Sequence, residues 1–246
     1  MIKCEMSEIY GFLRSDGRKG IRNHIAVAYL VECAHHVARE IAWPHRGQAH
    51  TIGFPGCYPN AYAQKMMERL CTHPNVGAVL LVSLGCESFN RFALEKTVRK
   101  SGRPVETVVI QNDGGTSQSI LKGQTWIEGM LNKIEKTPRV PIDLGELVIG
   151  TVCGGSDGTS GISGNPAAGF AFDRLVEAGA TCIFEETGEL IGCEDIIAAR
   201  AATPELAGEL RASVEKAARY YATLGYGSFA AGNADGGLTT IEEKSM

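Results

Sequence analysis

The stretch Thr151 to Gly169, TVCGGSDGTSGISGNPAAG, holds the densest set of groups able to do chemistry in this chain. Six glycines, three serines, a cysteine, an aspartate and Asn165-Pro166 lie between an apolar run, Leu147 to Val152, and a helical pattern, Ala167 to Ala178. Gly154 and Gly155 leave backbone N–H groups open to a ligand, and Ser156, Asp157, Thr159, Ser160 and Ser163 add short polar contacts. Asn165 before Pro166 suits a helix N-cap. A helix start carries partial positive charge, so the ligand expected here is an anion, and a carboxylate fits. Neither G-x-x-x-x-G-K-[ST] nor an in-register G-x-G-x-x-G is present, which speaks against a nucleotide. The competing reading is a glycine-rich connection without a ligand.

Four further constellations carry reactive groups. LGCES, Leu84 to Ser88, sets a thiol and a carboxylate side by side, so Cys86 and Glu87 are candidate ligands for ferrous iron, manganese or zinc. Alternatively they are a small buried cysteine and a helix-capping glutamate. Cys33 with His35 and His36 offers a similar choice, the histidines suiting a helix surface. IQNDGGT, Ile110 to Thr116, repeats the strand, polar turn, helix format with Asp113 and Thr116 available. FEETGELIGCED, Phe184 to Asp195, packs Glu185, Glu186, Glu189, Glu194 and Asp195 past a strand, where paired carboxylates can hold a metal or move protons and half of them are expected to face water. His24 stands between an Arg/Gly-rich opening and the first apolar run, as a general base, a metal ligand or a structural histidine.

The elements that must position these groups follow from apolar patterning. Strands are predicted at Ile25 to Val31, Ala49 to Phe54, Ala78 to Leu84 and Val105 to Gln111. Helices are predicted at Ala34 to Ala42, Ala61 to Cys71, Phe89 to Lys100 and Thr116 to Ile134, before a linker marked by Pro138 and Pro141. The pattern resumes with strand Leu147 to Val152, the glycine loop, the helix over Ala167 to Ala178, strand Thr181 to Glu185, and helices near Leu190 to Ala201 and Pro204 to Leu224. Alternation of this kind means an α/β protein with two Rossmann-like or flavodoxin-like parallel-sheet units. The expected division is an Arg/Gly-rich substrate loop over 1–24, a first α/β domain over 25–137 and a second over 145–246. Two strands are too few for a complete second layer, so this domain is expected to be truncated and to continue beyond Met246 in a longer natural or ancestral chain. Cys33, Cys57, Cys86 and Cys153 each follow a predicted strand, at the sheet edge where α/β proteins bind ligands.

Composition narrows the class. The 246 residues are 44% hydrophobic with a net charge of -4 and no basic arm, which fits a soluble globular protein and disfavours nucleic acid. No apolar run approaches the roughly 20 residues of a membrane helix, and no signal-peptide pattern opens the chain, so a cytoplasmic location is expected. Eight scattered cysteines then read as free thiols, metal ligands or catalytic groups. No C-x-x-C pair is present, and zinc-ribbon and common ferredoxin patterns are absent with it.

GFLRSDGRKGIRNH, HPNVGAVLLVSLGCE, IQNDGGT, VCGGSDGTSGISGNPAAG, ETGELIGCED and GNADGGLTTIEEKS, in this order, resemble the large subunit of the altronate and galactarate dehydratase family, which also includes the sulfolactate sulfo-lyase large subunit. The resemblance implies a metal-dependent hydro-lyase, with ferrous iron as its usual metal, that converts a hydroxylated sugar acid to a 2-keto-3-deoxy acid. Its alternatives are a sulfo-lyase acting on sulfolactate, a non-catalytic acid-binding subunit, or an iron–sulfur dehydratase using three strand-end cysteines. On this reading Gly154, Gly155, Ser156, Ser160 and Asn165 hold the substrate carboxylate, and Arg18, Arg22 and Asn23 grip its other end. Cys86, Glu87 and Cys153 are the metal-ligand candidates, while His24, Asp157 and Lys244 compete for proton transfer. The resemblance further implies a small substrate-binding domain or subunit supplied by a partner chain, and a homo-oligomer is expected. Gly227 to Asn233, GSFAAGN, departs from the family's usual NPSPGN.

Overall fold

The computed structural model describes residues 8–223, 225, 229 and 231–245. Cys4 and part of the GSFAAGN stretch (Gly227, Ser228 and Ala230) lie outside the described residues. The protein is mixed α/β, and it divides into two compact units between Ile142 and Asp143.

The first unit runs β1 (Ile9–Leu13), β2 (Lys19–Gly20), β3 (His24–Tyr29), α1 (His35–Ala42), β4 (Ala49–Gly53), α2 (Ala61–Cys71), β5 (Val76–Ser83), α3 (Arg91–Lys100), β6 (Val105–Val109), α4 (Thr116–Ile134) and β7 (Arg139–Ile142). Four strands form an all-parallel sheet in the order β4-β3-β5-β6. Its central strands are apolar throughout because both faces are covered. On one face Ile25, Val27, Leu80 and Val82 pack with Val37 and Ile41 of α1 and Ile127 of α4. On the other, Ala26, Ala28, Val79 and Leu81 meet Met67 of α2 and Leu94 and Val98 of α3. Asn60 and Asn90 cap α2 and α3, accepting hydrogen bonds from the N–H groups of Ala63 and Ala93.

The Arg/Gly-rich opening and the proline-marked linker, expected as loops, instead build an antiparallel sheet in the order β2-β1-β7. Tyr10, Gly11 and Phe12 are extended and pair with Pro141, Val140 and Arg139. Pro141 is tolerated because β7 is an edge strand, where a missing N–H breaks no ladder. Gly17, at φ +82, turns the chain between β1 and β2.

Buried Arg14 ties this sheet to the parallel one. Its guanidinium donates to Pro74 O at 2.6 Å, Asn23 Oδ1 at 2.7 Å and Arg22 O at 2.9 Å. Arg103, also buried, donates to Val76 O and His73 O. Gly20 lies against the same turn, where a Cβ would stand 2.1 Å from Pro74 O.

The second unit contains β8 (Val148–Thr151), α5 (Gly164–Glu177), β9 (Thr181–Phe184), α6 (Glu194–Ala198), α7 (Pro204–Thr223), α8 (Ala231–Asp235) and α9 (Ile241–Ser245). Strands β8 and β9 are parallel neighbours. No residue of α5 is buried, and Val148, Phe170, Val176 and Phe184 are all exposed. The small core here draws on Ala180, Cys193, Ala198, Val214, Leu238 and Ile241. Among the described residues no helix is long and apolar enough to cross a membrane.

Candidate active site

Because β8 and β9 run parallel, both end at the same edge of their sheet. Beyond β8 comes Cys153, and beyond β9 come Glu185, Glu186 and a 3-10 turn over Thr187–Leu190 that carries Glu189. The backbone N–H of Cys153 donates to Glu186 Oε2 at 2.6 Å, and the Cys153 Sγ lies 3.4 Å from Ser156 Oγ. One ligating atom each from Cys153, Glu186 and Glu189 fall within 4.8 Å of one another. Lys244, on α9, reaches this group from the far end of the unit, with Nζ donating to Glu189 Oε1 at 2.6 Å. Buried Ile241 anchors α9, and the Glu243 carboxylate accepts from the N–H and hydroxyl of Thr239 at its start. A thiol, two carboxylates and an ammonium thus converge from three separate sequence stretches.

The glycine loop is organised by its own side chains. Asp157 Oδ1 accepts from the Thr159 N–H at 2.7 Å and its hydroxyl at 2.6 Å, and these bonds hold its pKa below the usual carboxylate range. Ser160 Oγ accepts from the Asp157 N–H. The Gly158 N–H donates to Gly236 O, so the GNADGG stretch supports the loop from behind. Gly155 sits at φ +151, a conformation open to glycine. Helix α5 begins earlier than expected, at Gly164 with Ser163 at the N-cap position, so Asn165 is a first-turn residue rather than the cap. Pro166 still falls within the first turn, where a proline costs no helical hydrogen bond.

The first unit presents a different picture. Cys33, Cys57 and Cys86 are exposed beyond the ends of β3, β4 and β5. Glu87 turns back on the strand end, accepting from the Gly85 N–H at 2.8 Å and from the Ser83 hydroxyl. His24 opens β3, at the opposite end of the strand from Cys33, with its Nδ1 3.2 Å from His50 Nε2. Burial, His50 and Arg22 together push its pKa down. Arg18 is occupied by Asp16 and by Thr72 O, and Asn23 bridges Arg14 to Ile134 O. Arg22 is exposed, and among the described residues its guanidinium donates only to Ile21 O. The candidates Cys86, Glu87, His24, Arg18, Arg22 and Asn23 therefore belong to the first unit, and Cys153, Asp157 and Lys244 to the second.

Residues 11–135 match the second domain of D-galactarate dehydratase/altronate hydrolase, and residues 144–246 match the C-terminal domain of D-galactarate/altronate dehydratase. The chain belongs to the D-galactarate/altronate dehydratase family. It is 32% identical over 96% of its length to the (2R)-sulfolactate sulfo-lyase subunit beta of Chromohalobacter salexigens, and covers 62% of that protein. It is 28% identical to the altronate dehydratases of Escherichia coli and Bacillus subtilis over 97% and 96% of its length. It spans 51% and 50% of those two enzymes.

Within this family member, sequence reasoning singled out five acidic residues past β9. The structure sorts them: Glu186 and Glu189 face Cys153, Glu194 accepts from the Gly192 N–H, Asp195 pairs with Arg211, and Glu185 is exposed. Arg14 was missed as a key residue of the opening. The signal for it was the extended IYGFLR pattern, which continues a strand into the arginine.

Proposed function

We propose that this chain forms part of a metal-dependent hydro-lyase that dehydrates a sugar acid of the altronate or galactarate type to a 2-keto-3-deoxy acid. The observation that carries this reading is the convergence of Cys153, Glu186 and Glu189, with Lys244 beside them, next to a glycine-rich loop. A thiolate with two carboxylates suits a cation of intermediate softness, ferrous iron first and manganese second. Bound there, such a cation would supply Lewis-acid stabilisation of the enediolate formed when the proton beside the carboxylate is removed.

The chain's own groups take the remaining roles. Gly154, Gly155, Ser156 and Ser160 offer amide and hydroxyl donors to the substrate carboxylate, with Asn165 at the start of α5 behind them. Lys244, an ammonium held by Glu189, can protonate the departing hydroxyl so that it leaves as water. For the base, burial, His50 and Arg22 lower the pKa of His24, whereas hydrogen bonds from Thr159 lower that of Asp157 and make it less basic. Cys86 and Glu87 remain ligand candidates on the first unit, and Arg18, Arg22 and Asn23 candidates for the distal end of the substrate. The strand order β4-β3-β5-β6 supports a flavodoxin-like arrangement of the first unit. The expected setting is a cytoplasmic homo-oligomer joined by a small substrate-binding subunit or domain.

A second reading, sulfite elimination from sulfolactate, is favoured by the 32% identity to a sulfo-lyase beta subunit. An anaerobic, iron-supplemented assay over altronate, galactarate and sulfolactate, with and without a small companion subunit, separates the readings. A keto-deoxy acid supports the dehydratase and sulfite supports the sulfo-lyase. No turnover under any condition overturns both in favour of an acid-binding subunit.

A further inference from the structure

The three exposed thiols of the first unit form a constellation of their own. Strands β4, β3 and β5 are immediate neighbours in one parallel sheet, and Cys57, Cys33 and Cys86 follow their respective carboxyl ends. Neighbouring strands lie about 4.8 Å apart, so the three exits span roughly 10 Å of one edge. Direct backbone bonds tie the loops together: the Glu32 N–H donates to Pro55 O at 3.2 Å, and the Ser88 N–H donates to Cys57 O at 3.0 Å. Each thiol also precedes a helix, α1, α2 or α3, whose amino end faces the same edge. No disulfide joins the three, and all are open to solvent.

The spacing decides what such a trio can hold. A single ion draws its ligands close together, and among the described residues only Cys153, Glu186 and Glu189 bring three ligating atoms within 4.8 Å of one another. The first-unit thiols do not, although they share one edge. A polynuclear cluster separates its cysteine sulfurs much more widely, because each sulfur binds a different iron. Three helix amino ends add partial positive charge that favours the net negative charge of a thiolate-ligated cluster.

We propose that Cys33, Cys57 and Cys86 bind a [4Fe–4S] cluster at this edge, leaving its fourth iron open to an exogenous oxygen ligand. Loading is ligand exchange. Three protein thiols replace three small-molecule thiolates on a preformed cluster, each displaced thiolate leaving as a thiol with the proton the protein gives up; water displaces the fourth small-molecule thiolate from the remaining iron, and no electron is transferred. This site lies wholly in the first unit and is independent of the second-unit group under the proposed function.

The test is anaerobic transfer of a synthetic thiolate-ligated [4Fe–4S] cluster to the full chain, followed by gel filtration, iron and acid-labile sulfide analysis, and visible and reduced-state electron paramagnetic resonance spectra. The proposal expects about four iron and four sulfide per chain. It also expects loss of that content in Cys33→Ala, Cys57→Ala and Cys86→Ala, and retention in Cys153→Ala. All four sites are exposed, and far-ultraviolet circular dichroism verifies folding. Absence of bound sulfide in the wild type, full retention in any of the three single variants, or loss in Cys153→Ala overturns it. Binding of sulfide-free ferrous iron is scored separately, so failure of the cluster leaves the mononuclear reading standing and the reverse holds as well.

Discussion

Lys244 Nζ donates to Glu189 Oε1 at 2.6 Å, joining two residues 55 positions apart, and only 10% of the lysine side chain is exposed. The pair closes the second unit over the turn that carries Glu189 and places an ammonium at the edge of the thiol–carboxylate group. Replacing Lys244 with alanine therefore has two expected effects. Stability in urea falls by about 1 kcal/mol, between the values for exposed and buried pairs. Dehydration slows about 100-fold, the typical contribution of one general acid. A wild-type rate in a folded Lys244→Ala protein would remove the acid role.

Arg14 supports the first unit rather than the substrate. Arg14→Met leaves Pro74 O, Asn23 Oδ1 and Arg22 O without their donor. The expected loss is about 3 kcal/mol, since several part-buried acceptors go unpaired together. Equilibrium urea denaturation measures it, and a loss below about 0.5 kcal/mol, usual for a surface change, would contradict this role.

Acid stability should report on Asp16. Hydrogen bonds from Arg18 lower its pKa from 3.8 to about 2, against the opposing effect of partial burial. The folded value lies below the unfolded one, so this stabilisation is complete above the unfolded pKa and is lost as pH falls toward the folded one. Between pH 3.8 and about 2, wild-type stability should drop more steeply than that of Asp16→Asn. Parallel curves for the two proteins, followed by denaturation at stepped pH, would contradict the pairing.

These cases show what patterning reveals and what it hides. The two central strands of the parallel sheet were legible because a sheet covered on both faces needs continuous apolar runs, and His24–Tyr29 and Val76–Ser83 supply them. Strands β1, β2 and β7 were not. They are short, partly exposed and interrupted by Gly11 and Pro141, and the pairing of β1 with β7 joins residues as distant in the chain as Ile9 and Ile142, which no local pattern encodes. The same limit applied to the site. Cys153 and the acidic run past β9 were both visible, but that Glu186 and Glu189, rather than Glu194 and Asp195, meet the thiol follows from parallel pairing of β8 with β9. Lys244 was marked by its motif, and its contact with Glu189 emerged only once α9 was placed.

The central claim is that Cys153, Glu186 and Glu189 hold a divalent cation. The direct measurement is anaerobic equilibrium binding of ferrous iron, without sulfide, to the wild type and to Cys153→Ala, Glu186→Gln and Glu189→Gln. The account predicts one tight site per chain in the wild type and at least tenfold weaker binding in each variant. Unchanged affinity and stoichiometry in all three would contradict it.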